Sequence, residues 1–342
     1  MARQLRMLIC IVASLIANTA KSQVASDVSR PTNLNLIVGS QAGGGYDLYA
    51  RILARSLANH IEGQPRIIVQ NMPGANGISA LNHIFYIAAR DGSVISAAAN
   101  AIPLDPLLDG PASKFDPFQL NWIGSIDKQV NVCISWATRP FKTLDDAIKG
   151  EMILASTGPL GWRSLMPKIL NNLAGTRFKI VLGYKGLVDI FLAIEQGEVD
   201  GTCTTYETLK ATQADWLAQN RITFLAQFGR VPIPAIASVP SGLPYIKNEE
   251  DMKAVQLIFL QQEFGRPFVA PPKVPAARLK ILRDAFDATM RDASYIAEAE
   301  RAGMSVNPMT GIEIELALKQ AYSASPDIIR RAKLILLEAG AK

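Results

Sequence analysis

Short apolar runs alternate with segments of helical periodicity along the first hundred residues. The runs at 34–38, 66–70 and 94–98 predict strands, because each is short and bounded by glycine, proline or polar residues. Between them, residues 47–60 and 78–89 place apolar side chains at the spacing of a helix face. This strand–helix–strand–helix–strand order predicts a parallel α/β unit.

The same alternation returns in the middle of the chain and predicts a second α/β unit. Strands are predicted at 130–136, 152–155, 178–181 and 199–203, and helices at 143–148, 163–174 and 188–196. Residues 231–244 are rich in proline and are interpreted as a connection that crosses the surface of the protein. Further on, strands are predicted at 254–264 and 268–270, and amphipathic helices at 275–291 and 294–302.

The N-terminus has a pattern of its own. A short basic segment (1–6) precedes an apolar run (7–17) and a polar stretch that contains Ala20, Lys21 and Ser22. This is the anatomy of a secretory signal peptide, and the run is too short to span a bilayer. We therefore predict a signal peptide at 1–22 and a periplasmic mature protein. The alternative is a buried N-terminal helix.

Composition and charge limit the classes of protein to which this chain can belong. The 342 residues are 49% hydrophobic and 19% charged, which is typical of a globular chain of about two domains. The formal charge is +5, but the predicted signal peptide holds three bases and no acid, which leaves 32 bases against 30 acids. A nearly balanced mature chain argues against nucleic-acid binding.

Two cysteines, Cys133 and Cys203, remain in the predicted mature chain. An exported location permits a disulfide between them, but two buried thiols are the favoured interpretation. The chain has only two histidines, His60 and His83, and no Cys-x-x-Cys motif. Neither a metal site nor a cofactor is therefore predicted.

The strongest local signal is a run of three glycines between the first strand and the first helix. Glycines leave backbone N–H groups uncovered at a helix N-terminus, where the helix dipole favours an anion. Asp47 lies in the first turn of the predicted helix, and Arg51 is placed to pair with it. The run matches neither a Walker loop nor a dinucleotide fingerprint. The alternative is a tight turn that binds nothing.

A second loop of the same kind, Ser156-Thr157-Gly158, separates a strand from a helix in the middle unit. Two such loops in two α/β units can close on one anionic ligand from opposite sides. Trp162 and Tyr184 are possible walls of that pocket, although Trp162 suits a core equally well. No nucleophile elbow or metalloprotease motif is present, so an enzyme is not predicted.

The ordered set of motifs resembles the Bug-type substrate-binding proteins of tripartite tricarboxylate transporters. The matching residues are Leu36-Ile37-Val38, Gly43-Gly44-Gly45-x-Asp47, Ala50-Arg51, Val69-x-Asn71-x-Pro73-Gly74-Ala75, Asp91-Gly92, Ser156-Thr157-Gly158, Tyr184-Lys185-Gly186, Gly197-Glu198-Val199-Asp200 and Ala270-Pro271-Pro272. The chain departs from many relatives at Ser40-Gln41-Ala42, at Tyr46, at Leu160-Gly161-Trp162 and at Thr204-Thr205.

The resemblance implies an α/β, two-lobed periplasmic-binding-protein type II fold with a ligand cleft between the lobes. Lobe 1 is expected at 23–124 and 228–342, lobe 2 at 125–227, with crossing strands near 120–128 and 224–230. It also implies a partner, the membrane permease subunits of a tripartite tricarboxylate transporter.

The resulting hypothesis is a monomeric periplasmic receptor that binds a small organic anion, a carboxylate, without catalysis. The expected ligand-binding residues are Ala42, Gly43, Gly44, Gly45, Tyr46, Asp47, Ser156, Thr157, Gly158, Trp162, Tyr184 and Thr204. Two alternatives stay open. One is an exported enzyme that acts on a similar anion, and the other is a ligand-sensing subunit of a membrane kinase.

Overall fold

The structure is a computed structural model that describes residues 32–43, 45–74, 77–109, 115–158, 162–229 and 233–341. The predicted signal peptide and Gly44 lie outside these residues. The described strands are β1 (Asn33–Val38), β2 (Arg66–Asn71), β3 (Val94–Ala97), β4 (Asn121–Ser125), β5 (Asn131–Trp136), β6 (Met152–Ala155), β7 (Phe178–Val181), β8 (Gly201–Thr205), β9 (Ile222–Gln227), β10 (Pro267–Ala270) and β11 (Met309–Thr310).

The helices of the described part alternate with these strands. They are α1 (Gly45–Leu57), α2 (Ile78–Asn82), α3 (Leu144–Lys149), α4 (Trp162–Ala174), α5 (Leu187–Gln196), α6 (Tyr206–Thr212), α7 (Ala214–Ala218), α8 (Glu249–Phe259), α9 (Ala276–Thr289), α10 (Ala293–Arg301), α11 (Gly311–Tyr322) and α12 (Pro326–Ala341). A π-helical turn, His83–Ile87, follows α2 directly. None of the described helices is long and apolar enough to cross a membrane.

The first sheet has the strand order β11-β4-β10-β3-β1-β2. The parallel unit predicted from the apolar runs is confirmed, because β1 pairs in parallel with both β2 and β3. Leu36, Ile37 and Val38 are all buried although successive side chains point to opposite faces of β1. Such a continuous apolar run is expected of a strand that is covered on both faces.

The second sheet, built from residues 131–227, has the order β7-β6-β8-β5-β9. β6 runs parallel to β7 and β8, whereas β5 runs antiparallel to β8 and β9. The first sheet therefore takes strands from both ends of the chain, and the second takes them from the middle. The predicted α/β class with two sheets is confirmed, and the residue limits of the two lobes stay a prediction.

The strand predicted at 254–264 is wrong, because this segment forms most of α8 and a following 3-10 turn at Leu260–Gln262. The Asn248 side chain caps α8 by accepting a hydrogen bond from the Asp251 backbone N–H. Ala254 and Ile258 lie one turn apart and are both buried. A short apolar run that is buried on most sides has no clear period, so helix and strand could not be told apart.

Helices α11 and α12, at the C-terminal end of the chain, were not predicted. α12 packs against α8 and also against α4, which belongs to the second sheet. One continuous core includes Ile37 of the first sheet, Leu154 of the second sheet, Val255 of α8 and Ile335 of α12. The C-terminal part of the chain therefore packs against both sheets.

The favoured interpretation of two free thiols is wrong. Cys133 of β5 lies directly opposite Cys203 of β8 in the antiparallel register, and the two sulfur atoms are bonded at 1.97 Å. Both residues are buried. Their pairing depends on the alignment of two strands 70 residues apart, which the spacing of the cysteines does not reveal.

Candidate functional site

The first loop (residues 39–44, between β1 and α1) is closed by the carboxylate of Asp47. Its Oδ2 atom accepts hydrogen bonds from the Gly43 backbone N–H at 2.8 Å and from Arg51 Nε at 2.9 Å. Its Oδ1 atom accepts a bond from Asn71 Nδ2 at 2.9 Å, and the same amide nitrogen donates to the Ser40 carbonyl. The predicted pair of Asp47 and Arg51 is confirmed.

These bonds determine the ionisation of Asp47. Burial opposes the charged form, but the hydrogen bonds from Arg51, Gly43 and Asn71 outweigh it and lower the pKa of Asp47 to about 2. The side chain is only 3% exposed. The carboxylate therefore shapes the loop, and its oxygens are occupied by donors within the chain.

The other residues of the first loop leave backbone accessible. Ala42 and Gly43 are exposed, and Gly43 adopts a left-handed conformation with φ +79°, which glycine tolerates best. Gly45 is exposed and begins α1. Because Asp47 occupies the Gly43 N–H, the donors that remain for an anion are those at the start of α1. Gly44 lies outside the described residues.

Arg266, which precedes β10, lies beside the N-terminus of α1. Its guanidinium stacks on the rings of Tyr46, at 4.5 Å, and Tyr49, at 5.0 Å. A Cβ atom on Gly45 would lie 3.5 Å from Arg266 Nη2. The Tyr46 hydroxyl accepts a hydrogen bond from the Asn100 backbone N–H at 3.0 Å. The Tyr46 ring is therefore fixed at the start of α1 by the stacked guanidinium and by the bond to Asn100.

Two buried acids face Arg266. Asp127 lies between β4 and β5, and Glu207 lies in α6. Burial raises the pKa of Glu207 to about 8, although its Oε2 accepts a hydrogen bond from the Val130 backbone N–H. Burial opposes the charge of Arg266, but Asp127, Tyr46, Tyr49 and Glu207 together outweigh it and raise the pKa of Arg266. This cation therefore has an acidic partner within the chain.

The second loop (residues 156–161, between β6 and α4) is closed by hydroxyl groups. Ser164 Oγ lies 2.7 Å from Ser156 Oγ and 2.6 Å from the Gly158 carbonyl oxygen. Ser156 and Ser164 are both fully buried, so the Ser156 hydroxyl is used inside the loop. Thr157 is exposed, and its hydroxyl has no partner among the residues with a described position.

Trp162 opens α4 and packs against the segment after α8. Its indole Nε1 donates to Gln261 Oε1 at 2.9 Å, and its ring meets Phe259 edge to face at 5.8 Å. These contacts attach the start of α4 to the segment at residues 261–266, whose other end is Arg266.

The last two predicted residues lie on the second sheet. Thr204, near the end of β8, is buried, and its hydroxyl accepts a hydrogen bond from Arg163 Nη2 at 3.5 Å. Tyr184 follows β7 and is partly buried against the core of this sheet. Burial raises the pKa of the Tyr184 hydroxyl, with a smaller contribution from Glu198.

Arg163, the second residue of α4, was not among the predicted site residues. Its Nε atom is buried without a hydrogen-bond partner in the described part of the chain. Burial lowers the pKa of Arg163, and no described carboxylate pairs with it. The sequence carries a signal for this residue, because the first turn of a helix disfavours a cation and α4 has no acid there.

The arrangement can hold an anion, but it does not resemble a metal centre. No cluster of three or more His, Cys, Asp or Glu side chains suited to a metal occurs among the described residues.

A recess lies beside the connection from β4 to β5. Its lining residues are Lys128, Gln129, Val130, Ile233, Phe259, Gln262, Glu263 and Asn307. None of these is one of the twelve predicted residues.

Comparison with known proteins places the chain in a family. A family model described as "Tripartite tricarboxylate transporter family receptor" matches residues 49–334. No curated protein matches the sequence at a significant level.

Solved structures show a similar fold. A TctC solute-binding protein from Polaromonas superposes with a TM-score of 0.66 at 18% identity, covering 85% of this chain and 95% of its own. MatC of Rhodopseudomonas palustris, solved with malate, gives 0.62 at 17% identity and covers 89% and 98%. A second R. palustris protein, solved with adipate, gives 0.64 at 17% identity and covers 90% and 97%. At these identities the likeness concerns the fold alone, and it confirms the two-lobed architecture.

Proposed function

We propose a function on the premise that this chain belongs to the family of tripartite tricarboxylate transporter receptors, whose model matches most of its length. The family is one of receptors that bind substrates. The chain is a periplasmic receptor that binds a small organic anion with a carboxylate group and delivers it to the permease subunits of such a transporter.

The observation that carries this proposal is the pair of helix N-termini at the carboxyl ends of parallel strands in two different sheets. β1 leads through the first loop to α1, and β6 leads through the second loop to α4. Open α/β sheets bind ligands at such ends. Each N-terminus offers unpaired backbone N–H groups to an anion.

The side chains at these two loops support the same function. Asp47 and Ser156 hold the loops in shape, whereas Gly45, Thr157 and Thr204 present small or hydroxyl-bearing surfaces. Ala42, Gly43, Gly44, Gly158 and Tyr46 are assigned to the same cleft. The structures solved with malate and adipate are of proteins with the same fold. A carboxylate is therefore the first ligand class to test.

The direct test measures binding of mono-, di- and tricarboxylates, including malate and adipate, by thermal shift and then by calorimetry. A ligand present at 100 times its dissociation constant stabilises the folded protein by about 2.7 kcal/mol. Gly45→Val should weaken binding at least about tenfold, because a branched side chain covers the N–H groups at the start of α1. Ala276→Val, at the exposed start of α9, is the matched control. A panel without any binder would refute the carboxylate assignment.

The proposed location and partner need separate experiments. N-terminal sequencing of periplasmic protein should show cleavage between Ser22 and Gln23, and an intact Met1 in the cytoplasm would refute export. Transport of the identified solute should require this chain together with the permease subunits. A receptor that instead activates a membrane kinase would bind the same solute without supporting its uptake.

A further inference from the structure

Arg163, which follows the second loop in α4 and has no described acidic partner, carries an inference that rests on the proposed function. We infer that Arg163 forms an ion pair with a carboxylate of the bound solute and is a main determinant of affinity on the side of the second sheet. Among the described residues, no carboxylate pairs with this guanidinium.

The position of Arg163 is unfavourable without an anion. It occupies the first turn of α4, where the helix dipole repels a cation. Its Nε is buried and unpaired, and its one described hydrogen bond is the long contact to the neutral Thr204 hydroxyl. The side chain is partly exposed, but the burial of Nε without a partner still costs free energy. The internal residues outside the described part contain neither Asp nor Glu; they are 44, 75–76, 110–114, 159–161 and 230–232. None of these segments can therefore supply an acid to Arg163.

Comparison with Arg266 shows that this is a special case. Arg266 and Arg278 also have a buried Nε atom without a hydrogen-bond partner in the described part of the chain. Acids of the chain lie near both of them, Asp127 and Glu207 beside Arg266 and Asp91 beside Arg278. Arg163 has neither an acid nor an aromatic ring among its described contacts, so its charge is left to be balanced from outside.

The surroundings of Arg163 suit a carboxylate in particular. A guanidinium presents parallel N–H donors that match the two oxygens of a carboxylate. Thr204, which contacts Arg163, and Thr157 of the second loop add hydroxyl groups at the carboxyl ends of β8 and β6. Trp162, fixed by Gln261 and Phe259, holds the backbone from which Arg163 projects. The donors are therefore preorganised.

The test compares Arg163→Gln, Arg163→Lys and the control Arg177→Gln in the full mature chain. Arg177 is an exposed arginine that precedes β7 of the same sheet, so its loss removes the same charge without touching the cleft. The probe is the carboxylate of the panel that binds the wild-type protein most tightly, measured by calorimetry. We expect Arg163→Gln to weaken binding at least about tenfold, Arg163→Lys to lie between it and wild type, and Arg177→Gln to stay within about twofold.

A second readout separates ligand binding from a structural role. The ligand-free Arg163→Gln protein should melt no lower than wild type, because it loses a cation whose Nε is buried without a partner. Wild-type affinity in Arg163→Gln would overturn the role of Arg163 and leave the proposed function intact. Absence of any binding by the wild-type protein would overturn both. If Arg163→Gln is insoluble, the affinity of Arg163→Lys provides the test. Unchanged affinity in Arg163→Lys would contradict recognition of the carboxylate by the guanidinium group.

Discussion

The loop before α1 is closed by a carboxylate, whereas the loop before α4 is closed by hydroxyl groups. In the first loop, Asp47 accepts three hydrogen bonds and lends a negative charge to the start of its helix. In the second loop, Ser164 bridges Ser156 and Gly158 without any charge. The positive end of α1 is therefore balanced by the chain itself, while that of α4 has an additional cation, Arg163.

The two loops therefore contribute differently to the site, although their sequence patterns are alike. Both loops lie between a strand and a helix and contain small residues, so the pattern predicts that they bind one anion from opposite sides. In the structure the first loop is held by Asp47, whose charge pairs with Arg51, whereas Arg163 beside the second loop has no described acidic partner. Substitutions in the two loops should therefore differ in their effects on stability, on pH dependence and on affinity.

The largest effect on stability is expected in the second loop. Trp162→Ala removes the ring that packs on Phe259 and the hydrogen bond to Gln261, and should lower the free energy of unfolding by about 3 kcal/mol. The order of affinity for different carboxylates should stay the same, because these contacts face the protein. Urea unfolding measures the first effect, and calorimetry with the carboxylate panel measures the second.

Trp162→Phe is the matched variant, since it keeps an aromatic ring next to Phe259 but loses the bond to Gln261. It should cost about 1 kcal/mol. A changed ligand ranking at unchanged stability in Trp162→Ala would contradict the packing role. It would restore the interpretation of Trp162 as a pocket wall.

The next largest effect is a pH dependence confined to the first loop. The pKa of Asp47 is about 2 in the folded protein and about 3.9 in an unfolded chain, so its stabilising contribution is complete above pH 4 and is lost as the pH falls toward 2. The contribution is about 2 kcal/mol, because the partner Arg51 is 44% exposed and partly screened by solvent.

Asp47→Asn should remove this part of the acid unfolding curve, because an amide does not titrate. The experiment compares the free energy of unfolding of both proteins between pH 2 and pH 7. Asp215→Asn, which changes an exposed acid in the first turn of α7, is the control. An equal acid dependence in wild type and Asp47→Asn would show that other carboxylates carry it.

Particular residues show how far the sequence predicts this molecule. Leu36, Ile37 and Val38 belong to an apolar run that strongly favours a buried strand, and the parallel unit follows from three such runs. The pairing of Asp47 with Arg51 is a local contact between residues four apart in a helix, so the sequence predicts it equally well. Local patterns therefore identified the first parallel unit and the two loops.

The failures concern distant contacts. Cys133 and Cys203 pair through the register of two strands, and α8 becomes recognisable as a helix once α12 packs against it. Arg163 resembles any helical arginine until the structure shows that no described acid lies near it. The charge balance of a site depends on residues that the fold brings together, and a single sequence does not contain that information.

A smaller effect without pH dependence is expected in the second loop. Ser164→Ala removes the hydroxyl that joins Ser156 to the Gly158 carbonyl, and should cost about 1–2 kcal/mol because buried polar atoms lose a partner. The loss should be the same at pH 4 and pH 7, since no ionisable group is involved. Ser238→Ala, at an exposed serine between β9 and α8 for which no side-chain hydrogen bond to a described residue is found, is the control. A loss that grows at low pH would contradict a neutral closure of this loop.

The smallest effect comes from the same substitution made in both loops. Gly43 has φ +79°, and an alanine there must adopt a left-handed conformation that costs about 1 kcal/mol. Gly158 has no positive φ, and a Cβ atom added to it meets no atom of the described residues within 4 Å. Gly158→Ala should therefore be neutral or slightly stabilising, because alanine restricts the unfolded chain. Thermal and urea unfolding of the two variants give the comparison directly. Equal losses at both positions would mean that the second loop is as constrained as the first, and that its closure does not depend on the hydroxyl groups alone.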